Sequence, residues 1–363
     1  MKLILLITGL GMGGAETQVS NLADKFAEKG FDVTLAYILE PALVKPSNPN
    51  IKLVWLGGTK SPFGMLMALK NLIKLVRTDK PNVVHSHMFH ANILARVVRV
   101  FAPMPKLIST AHSNNEGGKT RMLAYRLTNF LANVFTNVSD NAVLAFEQKK
   151  AVTKNKMLSV GNGINTDYFQ FNEKARQKLR SNLRLVDKKV FIAIGRFHEA
   201  KDYPNLINAF NHLYQQNKNV HLLIIGDGEL RSDIEKQIQS LGLLESINLL
   251  GIRYDIPQLL STADVFVLSS AWEGFGLVVA EAMACERIAI GTNSGGVANI
   301  IGDAGFIVPV RNPNALAKAM QKAMLLSENE AKELGRKARS RVLDQFSLDT
   351  VVEKWERIYE SKE

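Results

Sequence analysis

The chain has 363 residues, 46% hydrophobic and 22% charged, with a formal net charge of +11. That length exceeds what one core usually serves, so two domains of roughly 150–200 residues are expected. No apolar run approaches the roughly 18 residues of a membrane-spanning helix. The single cysteine, Cys285, excludes an internal disulfide framework, fits a reducing cytoplasm and reads as a small buried helix residue. Through residue 170 there are 20 Lys and Arg against 10 Asp and Glu, and beyond it 25 against 24. The basic first half suggests a polyanionic surface, such as acidic lipid or nucleic acid, with a solvated face as the plain alternative.

The start, Met1–Gly9, has the basic residue and apolar run of a signal peptide. No A-x-A-like cleavage site follows before Glu16, so Leu3–Thr8 is read as a first strand. Further strands are expected at Val33–Ile38, Val83–His85 and Leu107–Thr110. The second half repeats the rhythm at Val190–Ile194, His221–Ile225, Ile247–Leu250, Val265–Leu268 and Ile288–Gly291. Helical stretches separate them, which implies an α/β fold of doubly wound parallel sheets. Between the halves, Val160–Asp167 is rich in turn formers and leads into a charged stretch, Glu173–Lys189. This is the expected hinge. The tail from Asn329 is helical in pattern and broken near Phe346-Ser347.

The first loop, Gly9-Leu10-Gly11-Met12-Gly13-Gly14-Ala15-Glu16, satisfies the dinucleotide fingerprint at Gly9, Gly11 and Gly14, and Glu40 closes the second strand near where a ribose-binding acid would sit. Phe63–Arg77 is expected to be a helix with apolar residues on more than one face. Lys119–Phe135 is a second basic and apolar stretch. Lys70, Lys74, Arg121 and Arg126 make these two stretches candidates for an anionic membrane surface, and packing on the first sheet accounts equally well for their apolar residues. In His85-Ser86-His87-Met88-Phe89-His90, period two puts His85 and His87 on one strand face. The spacing matches the metallohydrolase pattern His-x-His-x-Asp-His except that Phe89 replaces the aspartate, so no metal is assigned. His112 follows a strand, where open sheets bind ligands.

In the second half, Arg196 and Lys201 leave the carboxyl end of a strand together. A planar guanidinium and a point-charge ammonium suit a pyrophosphate leaving group. Gly226-Asp227-Gly228-Glu229 also ends a strand, and helix capping is expected to account for Asp227. Ala271–Cys285 then reads as loop and helix after the strand Val265–Leu268. Gly274 and Gly276 allow close backbone approach, and the helix start offers free N–H groups and a positive dipole end to a phosphate. Glu273 in the loop and Glu281 about two turns inside the helix flank that position with carboxylates suited to hydroxyl-rich ligands. Asn293-Ser294-Gly295-Gly296 offers further close backbone.

Glu273 through Glu281, with Arg196, Lys201 and the Gly-Gly-x-Glu loop at Gly13-Gly14, resembles the retaining glycosyltransferases of the GT-B type. Among them are the bacterial lipopolysaccharide, capsule and lipid-linked oligosaccharide transferases. Gly161-Asn162-Gly163-Ile164-Asn165 is similar to the family's interdomain signature, and His87 with Ala91-Asn92 and Thr110-Ala111-His112-Ser113 match weaker patterns. The resemblance covers essentially the whole chain. It implies two Rossmann-like domains facing across a cleft: an acceptor-binding domain at 1–170, a nucleotide-sugar-binding domain at 171–345, and a C-terminal helix at 346–363 returning to the first. It implies that Glu281 holds the ribose hydroxyls and Glu273 those of the donor sugar. Arg196 and Lys201 would hold the diphosphate with backbone at Gly276 and Leu277. Gly13 and Gly14 would face it across the cleft, and His112 would sit beside the reacting sugar. His87, Asn114 and Glu116 are the acceptor-side candidates, although the loop Asn114–Arg121 carries no pattern that names a substrate.

The expected reaction is metal-independent, cofactor-free transfer from a nucleotide diphosphate sugar, with UDP the commoner nucleotide in such bacterial enzymes. The acceptor would be a saccharide or lipid-linked saccharide, and the place of work the inner face of the cytoplasmic membrane. The family offers no reliable enzymic nucleophile, so the resemblance implies retention by front-face attack, with domain closure excluding water. No nucleic-acid reader motif is present. A sugar-nucleotide epimerase of similar fold, a nicotinamide-dependent oxidoreductase using Gly9–Gly14 and a non-catalytic sugar-nucleotide binder are the competing classes.

Overall fold

A computed structural model describes residues 1–114 and 116–361. The chain divides into two compact units: Met1–Gly163 together with Leu348–Glu363, and Ile164–Ser347. The first crossing falls inside the turn-rich stretch, slightly before residue 170, and the second just after Ser347. Gly163 stands at the division for a steric reason. Its N–H donates to the Gln18 side chain at 3.0 Å, and a Cβ there would lie 2.9 Å from Leu348. Only glycine lets the backbone pass so close.

The first unit contains β1 (Lys2–Gly9), α1 (Gly14–Glu28), β2 (Asp32–Leu39), β3 (Lys52–Gly58), α2 (Pro62–Asp79), β4 (Val83–His87), α3 (Phe89–Phe101), β5 (Lys106–Ala111), α4 (Lys119–Thr128), β6 (Val134–Asn137), α5 (Asp140–Gln148) and β7 (Leu158–Ser159). Its strands form one parallel sheet in the order β3-β2-β1-β4-β5-β6-β7. β1 is central and covered on both faces, so Leu3 to Ile7 are all apolar and buried instead of alternating. One face packs on α1, and the other on α2 and α3.

The second unit contains α6 (Glu173–Asn182), β8 (Lys189–Ile194), α7 (Tyr203–Gln216), β9 (Val220–Ile225), α8 (Arg231–Ser240), β10 (Ile247–Leu249), α9 (Ile256–Thr262), β11 (Val265–Leu268), α10 (Leu277–Ala284), β12 (Ile288–Thr292), α11 (Val297–Ile301), β13 (Gly305–Val308), α12 (Pro313–Leu325) and α13 (Glu328–Phe346). Its parallel sheet runs β10-β9-β8-β11-β12-β13. The charged stretch after residue 173 is α6, fastened through Arg176 and Arg180 to the two oxygens of Asp264 at 2.5 and 2.7 Å. After Ser347, α14 (Leu348–Glu360) lies on the first unit, where Val351, Val352, Trp355 and Tyr359 bury one stripe against α1, β1 and β2.

Each sheet reverses its strand order once, between β1 and β4 in the first unit and between β8 and β11 in the second. The crevice outside the carboxyl ends of strands at such a point is where open α/β sheets bind ligands.

Candidate active site

In the second unit the loops after β8 and β11 are joined before any ligand is considered. Tyr203 donates its hydroxyl to the Gly195 carbonyl at 2.8 Å, Ser269 donates to the Lys201 carbonyl at 2.7 Å, and the Ala271 N–H donates to the Ala200 carbonyl at 2.9 Å. This brings Lys201 to Glu273: its ammonium donates to Oε1 of that carboxylate, which also accepts from the Ser270 hydroxyl at 2.8 Å. Both side chains are largely buried, at 22% and 13% exposure. The attraction within a pair shielded from water is larger than at the surface, desolvation offsets it, and a second hydrogen bond fixes the geometry. Arg196 leaves the same strand end exposed to solvent.

Three glycines make these loops possible. A Cβ on Gly226 would lie 2.0 Å from the Gly195 carbonyl oxygen, and one on Gly228 2.5 Å from that of Phe197. The loop after β9 therefore lies backbone to backbone against the Arg196 loop and sets its course. Asp227 does not cap α8. Its Oδ1 accepts from the Gly228 N–H at 2.8 Å and its Oδ2 from Arg231 at 3.1 Å, because the close backbone contact turns its side chain into a local loop brace. Likewise Gly295, at φ +56°, brings its Cα against the Glu273 carbonyl, where a Cβ would sit 2.2 Å away. The close approach expected of Asn293–Gly296 is thus made to the Glu273 loop.

Helix α10 starts after Gly276, whose φ of +98° is a left-handed conformation that glycine adopts without strain. The N–H of Leu277 stands in its first turn, where helix amides lack intrahelical partners. Glu281 lies one turn further in and half-buried. Burial pushes its pKa up to about 7. A carboxyl held in this way gains most from a ligand that hydrogen-bonds its ionised form. Cys285 follows it, fully buried, with burial first raising its thiol to about 12. A cavity of about 690 Å³ near Lys189, Asp264 and Ile288 opens at the opposite, amino ends of the strands, and its ion pairs serve the docking of α6.

The first unit holds a cavity of about 1000 Å³ at its own switch point, lined by Thr8, Gly14, Glu16, His112, Glu116 and Arg121 among others. Behind His112, which lines it, stands a column of two further histidines. The rings of His85 and His87 lie 4.0 Å apart, and His87 Nδ1 meets His112 Nε2 at 3.1 Å. His85 meets the Tyr359 hydroxyl at 2.8 Å and Thr110 Oγ1 at 2.7 Å, so both its nitrogens are engaged. Burial holds His85 and His87 well below the usual imidazole range and lowers His112 to about 4. All three are neutral at pH 7. His87 Nε2 is buried without a partner. An orphaned acceptor is better tolerated than an orphaned N–H, so His87 donates from Nδ1, and the proton of His112 sits on its own Nδ1.

The acceptor-side candidates fare differently. His87 is buried and meets the cavity only through His112. Glu116 lines the cavity, but both its oxygens are engaged: Oε1 accepts from the His112 N–H at 2.8 Å and Oε2 from the Tyr125 hydroxyl. It braces the loop. Asn114 is half-buried, and its carbonyl accepts from Lys149 at 2.8 Å; residue 115 of that loop lies outside the described residues. Gly13 and Gly14 are both exposed, and of the two only Gly14, the first residue of α1, lines the cavity. Sequence reasoning counted Glu16 in the Gly-Gly-x-Glu loop but gave it no role; its carboxylate would lie 2.6 Å from a Cβ on Gly13 and its pKa is raised by burial. Its place in the first turn of α1, directly after the glycine loop, was the available signal. Of the basic candidates, Lys70, Lys74 and Arg126 are exposed. Arg121 instead lies with its guanidinium 4.8 Å from the Phe89 ring centre and donates to the Glu116 carbonyl at 2.8 Å. No described helix is long and apolar enough to cross a membrane.

Two family models match successive parts of the chain: "Glycosyltransferase Family 4" over residues 12–168 and "Glycosyl transferases group 1" over residues 172–341. The N-acetyl-alpha-D-glucosaminyl L-malate synthase of Bacillus anthracis is 24% identical, over 99% of this chain and 97% of its own length. An Escherichia coli UDP-Gal:alpha-D-GlcNAc-diphosphoundecaprenol alpha-1,3-galactosyltransferase is 25% identical, over 81% and 79%. Among solved structures, Anabaena HepE in complex with UDP superposes with a TM-score of 0.85 at 20% identity, over 99% of both chains. Its complex with UDP-glucose gives a TM-score of 0.83. These likenesses show the GT-B fold, two Rossmann-like domains, and the chain belongs to the glycosyltransferases that these two family models describe.

Proposed function

We propose that this glycosyltransferase moves a sugar from a UDP-sugar to a saccharide or lipid-linked saccharide, with retention at the anomeric carbon and without a metal or cofactor. The observation that carries the reading is the second unit's switch point. Lys201 and Arg196 leave β8 together, and the Glu273 loop opens into the N-terminus of α10. As the bond from the anomeric carbon to the phosphate oxygen breaks, negative charge grows on the diphosphate. Arg196, Lys201 and the amides at Gly276 and Leu277 supply fixed positive charge and donors for it. Glu281 suits the ribose hydroxyls and Glu273 the hydroxyls of the departing sugar.

In a front-face transfer the acceptor oxygen bonds the anomeric carbon on the side the diphosphate leaves. The acceptor's proton passes to the leaving phosphate oxygen, which balances the charge without an enzymic base. The complexes of HepE with UDP and UDP-glucose support a UDP donor, and the diphosphoundecaprenol acceptor in the E. coli relative's name supports a lipid-linked one. In the first unit, neutral His112 is suited to donate to a sugar hydroxyl, and the Gly13–Gly14 turn to offer backbone to the diphosphate. Exposed Lys70, Lys74 and Arg126 fit work at the anionic inner face of the cytoplasmic membrane, in glycan assembly.

The test is a screen of nucleotide sugars for released nucleotide, with and without a lipid-linked saccharide extract, followed by NMR of the product. Release that depends on the extract and an α-linked product from an α-linked donor are expected. A β-linked product overturns retention. Consumption of the nucleotide sugar without any acceptor indicates an epimerase, and tight NAD(P) binding an oxidoreductase.

A further inference from the structure

We infer that an apolar groove between α2 and α3 of the first unit is the subsite for the hydrocarbon chain of the acceptor, whose phosphate it delivers to Arg121. This deepens the lipid-linked reading above and rests on it. Helix α2 carries two apolar stripes. Gly64, Ala68, Leu72, Leu75 and Val76 face the core, and that stripe accounts for the packing of the helix. Half-buried Met65 and Leu69 flank Leu66, which is 62% exposed, and the three form a second apolar strip beside the core-facing one. Opposite it, α3 presents Phe89, Ile93 and Val97. Together they line a cavity of about 440 Å³ whose one titratable neighbour is His90.

The groove is continuous with the larger cavity that holds His112. Met65, Phe89 and His90 line both. At the junction stands Arg121 over the Phe89 ring, and Lys60 lines the same cavity. The same cavity also holds Glu16 and Glu116, the latter with both oxygens engaged, and the path runs from this charged end, with Arg121 at the junction, to uninterrupted hydrocarbon. Its complement is a single molecule with an anionic head and a long apolar tail. A bilayer or a second copy would cover the exposed stripe without needing the cation at its end or the opening into the cavity. Charge complementarity and continuity with the cavity thus favour an inserted chain.

The probes are butyl phosphate and dodecyl phosphate, the latter below its micelle concentration, titrated calorimetrically into the full chain. Dodecyl phosphate is expected to bind at least tenfold more tightly. Leu66→Glu and Val97→Glu should each remove that gain while leaving butyl phosphate binding unchanged, and Leu144→Glu, on exposed α5, should leave it intact. Leu66 is exposed, so its variant tests the groove without threatening the fold. Equal affinity for the two phosphates overturns the proposal, as does a chain-length gain that survives both groove substitutions. A concentration-dependent dimer, seen by sedimentation and abolished by Leu66→Glu, would also overturn it by giving the groove to a second copy. If the chain-length result holds but no nucleotide sugar supports transfer, the subsite stands and the transferase reading fails.

Discussion

The two units place their chemistry at the same point of similar sheets and fill it with opposite kinds of group. In the second unit the switch point is charged: Lys201 on Glu273, Arg196 in solvent, Glu281 waiting in the helix. In the first unit it is made of imidazoles that burial keeps neutral, a carboxylate with both oxygens engaged, and an apolar groove leading away. The shared architecture decides where a ligand can bind. The side chains at the strand ends decide whether it meets fixed charge or neutral donors and hydrocarbon.

The sharpest test of that contrast is Lys201→Ala. It removes a cation from the position proposed for the leaving group and is expected to lower turnover about 100- to 1000-fold, the scale of losing one preorganised charge-stabilising donor. Product release measured with saturating donor checks it, and a rate within twofold of wild type would break the comparison.

Acidification should strike the first unit next. His85, His87 and His112 all have folded pKa values below those of the unfolded chain, so the unfolded state takes up more protons as pH falls through 6.5 toward 4. Their stabilising effect is complete above the unfolded value and is lost on the acid side. At roughly 1 kcal/mol for each imidazole, on the order of 3 kcal/mol should disappear between pH 6.5 and 5.5. Hydrogen exchange at the amides of β4 and β5 would show it.

Glu281 predicts the reverse sign in the second unit. Its folded pKa of about 7 lies above the ordinary carboxyl value, so stability from this group is greatest in acid and declines as pH rises through 7. At pH 8, Glu281→Gln should raise the melting temperature by a few degrees, on the order of 1–2 kcal/mol, and weaken UDP binding about tenfold. Wild-type affinity for UDP should improve from pH 6 to 8. A variant that melts earlier at pH 8 would contradict the buried-carboxyl account. The smallest expected effect is at the surface. Neutralising Lys70 or Lys74 should weaken binding to anionic vesicles by about 1 kcal/mol each in a sedimentation assay.

Much of the fold was legible because parallel strands covered on both faces read as unbroken apolar runs; β1, β8 and β11 are of this kind. Of the edge strands, β10 was expected at Ile247–Leu250, while β3, β7 and β13 were not. In β3 the burial alternates weakly from Lys52 to Gly58, and β7 is two exposed residues, so neither stands out from a loop. The break before α14 was visible in Phe346-Ser347, while the packing of that helix against His85 and α1 was not. The motif from Glu273 to Glu281 and the cations Arg196 and Lys201 were readable as a set, and the structure brings Lys201 and Glu273 together. Asp227 was misread as a cap because the backbone approach of Gly226 to Gly195 leaves no local trace.

By itself, then, the sequence determined the alternation of strands and helices, the two-unit plan and the residues at the strand ends, since each depends on neighbours a few positions away. Only the tertiary structure decided the state of those residues. His85 meets Tyr359 across 274 positions and Lys201 meets Glu273 across 72. Glu116 is bound up by Tyr125 and the His112 backbone, and two helices leave a groove that neither stripe announces alone. Burial and partnership set protonation and availability, and both are properties of distant chain segments brought into contact.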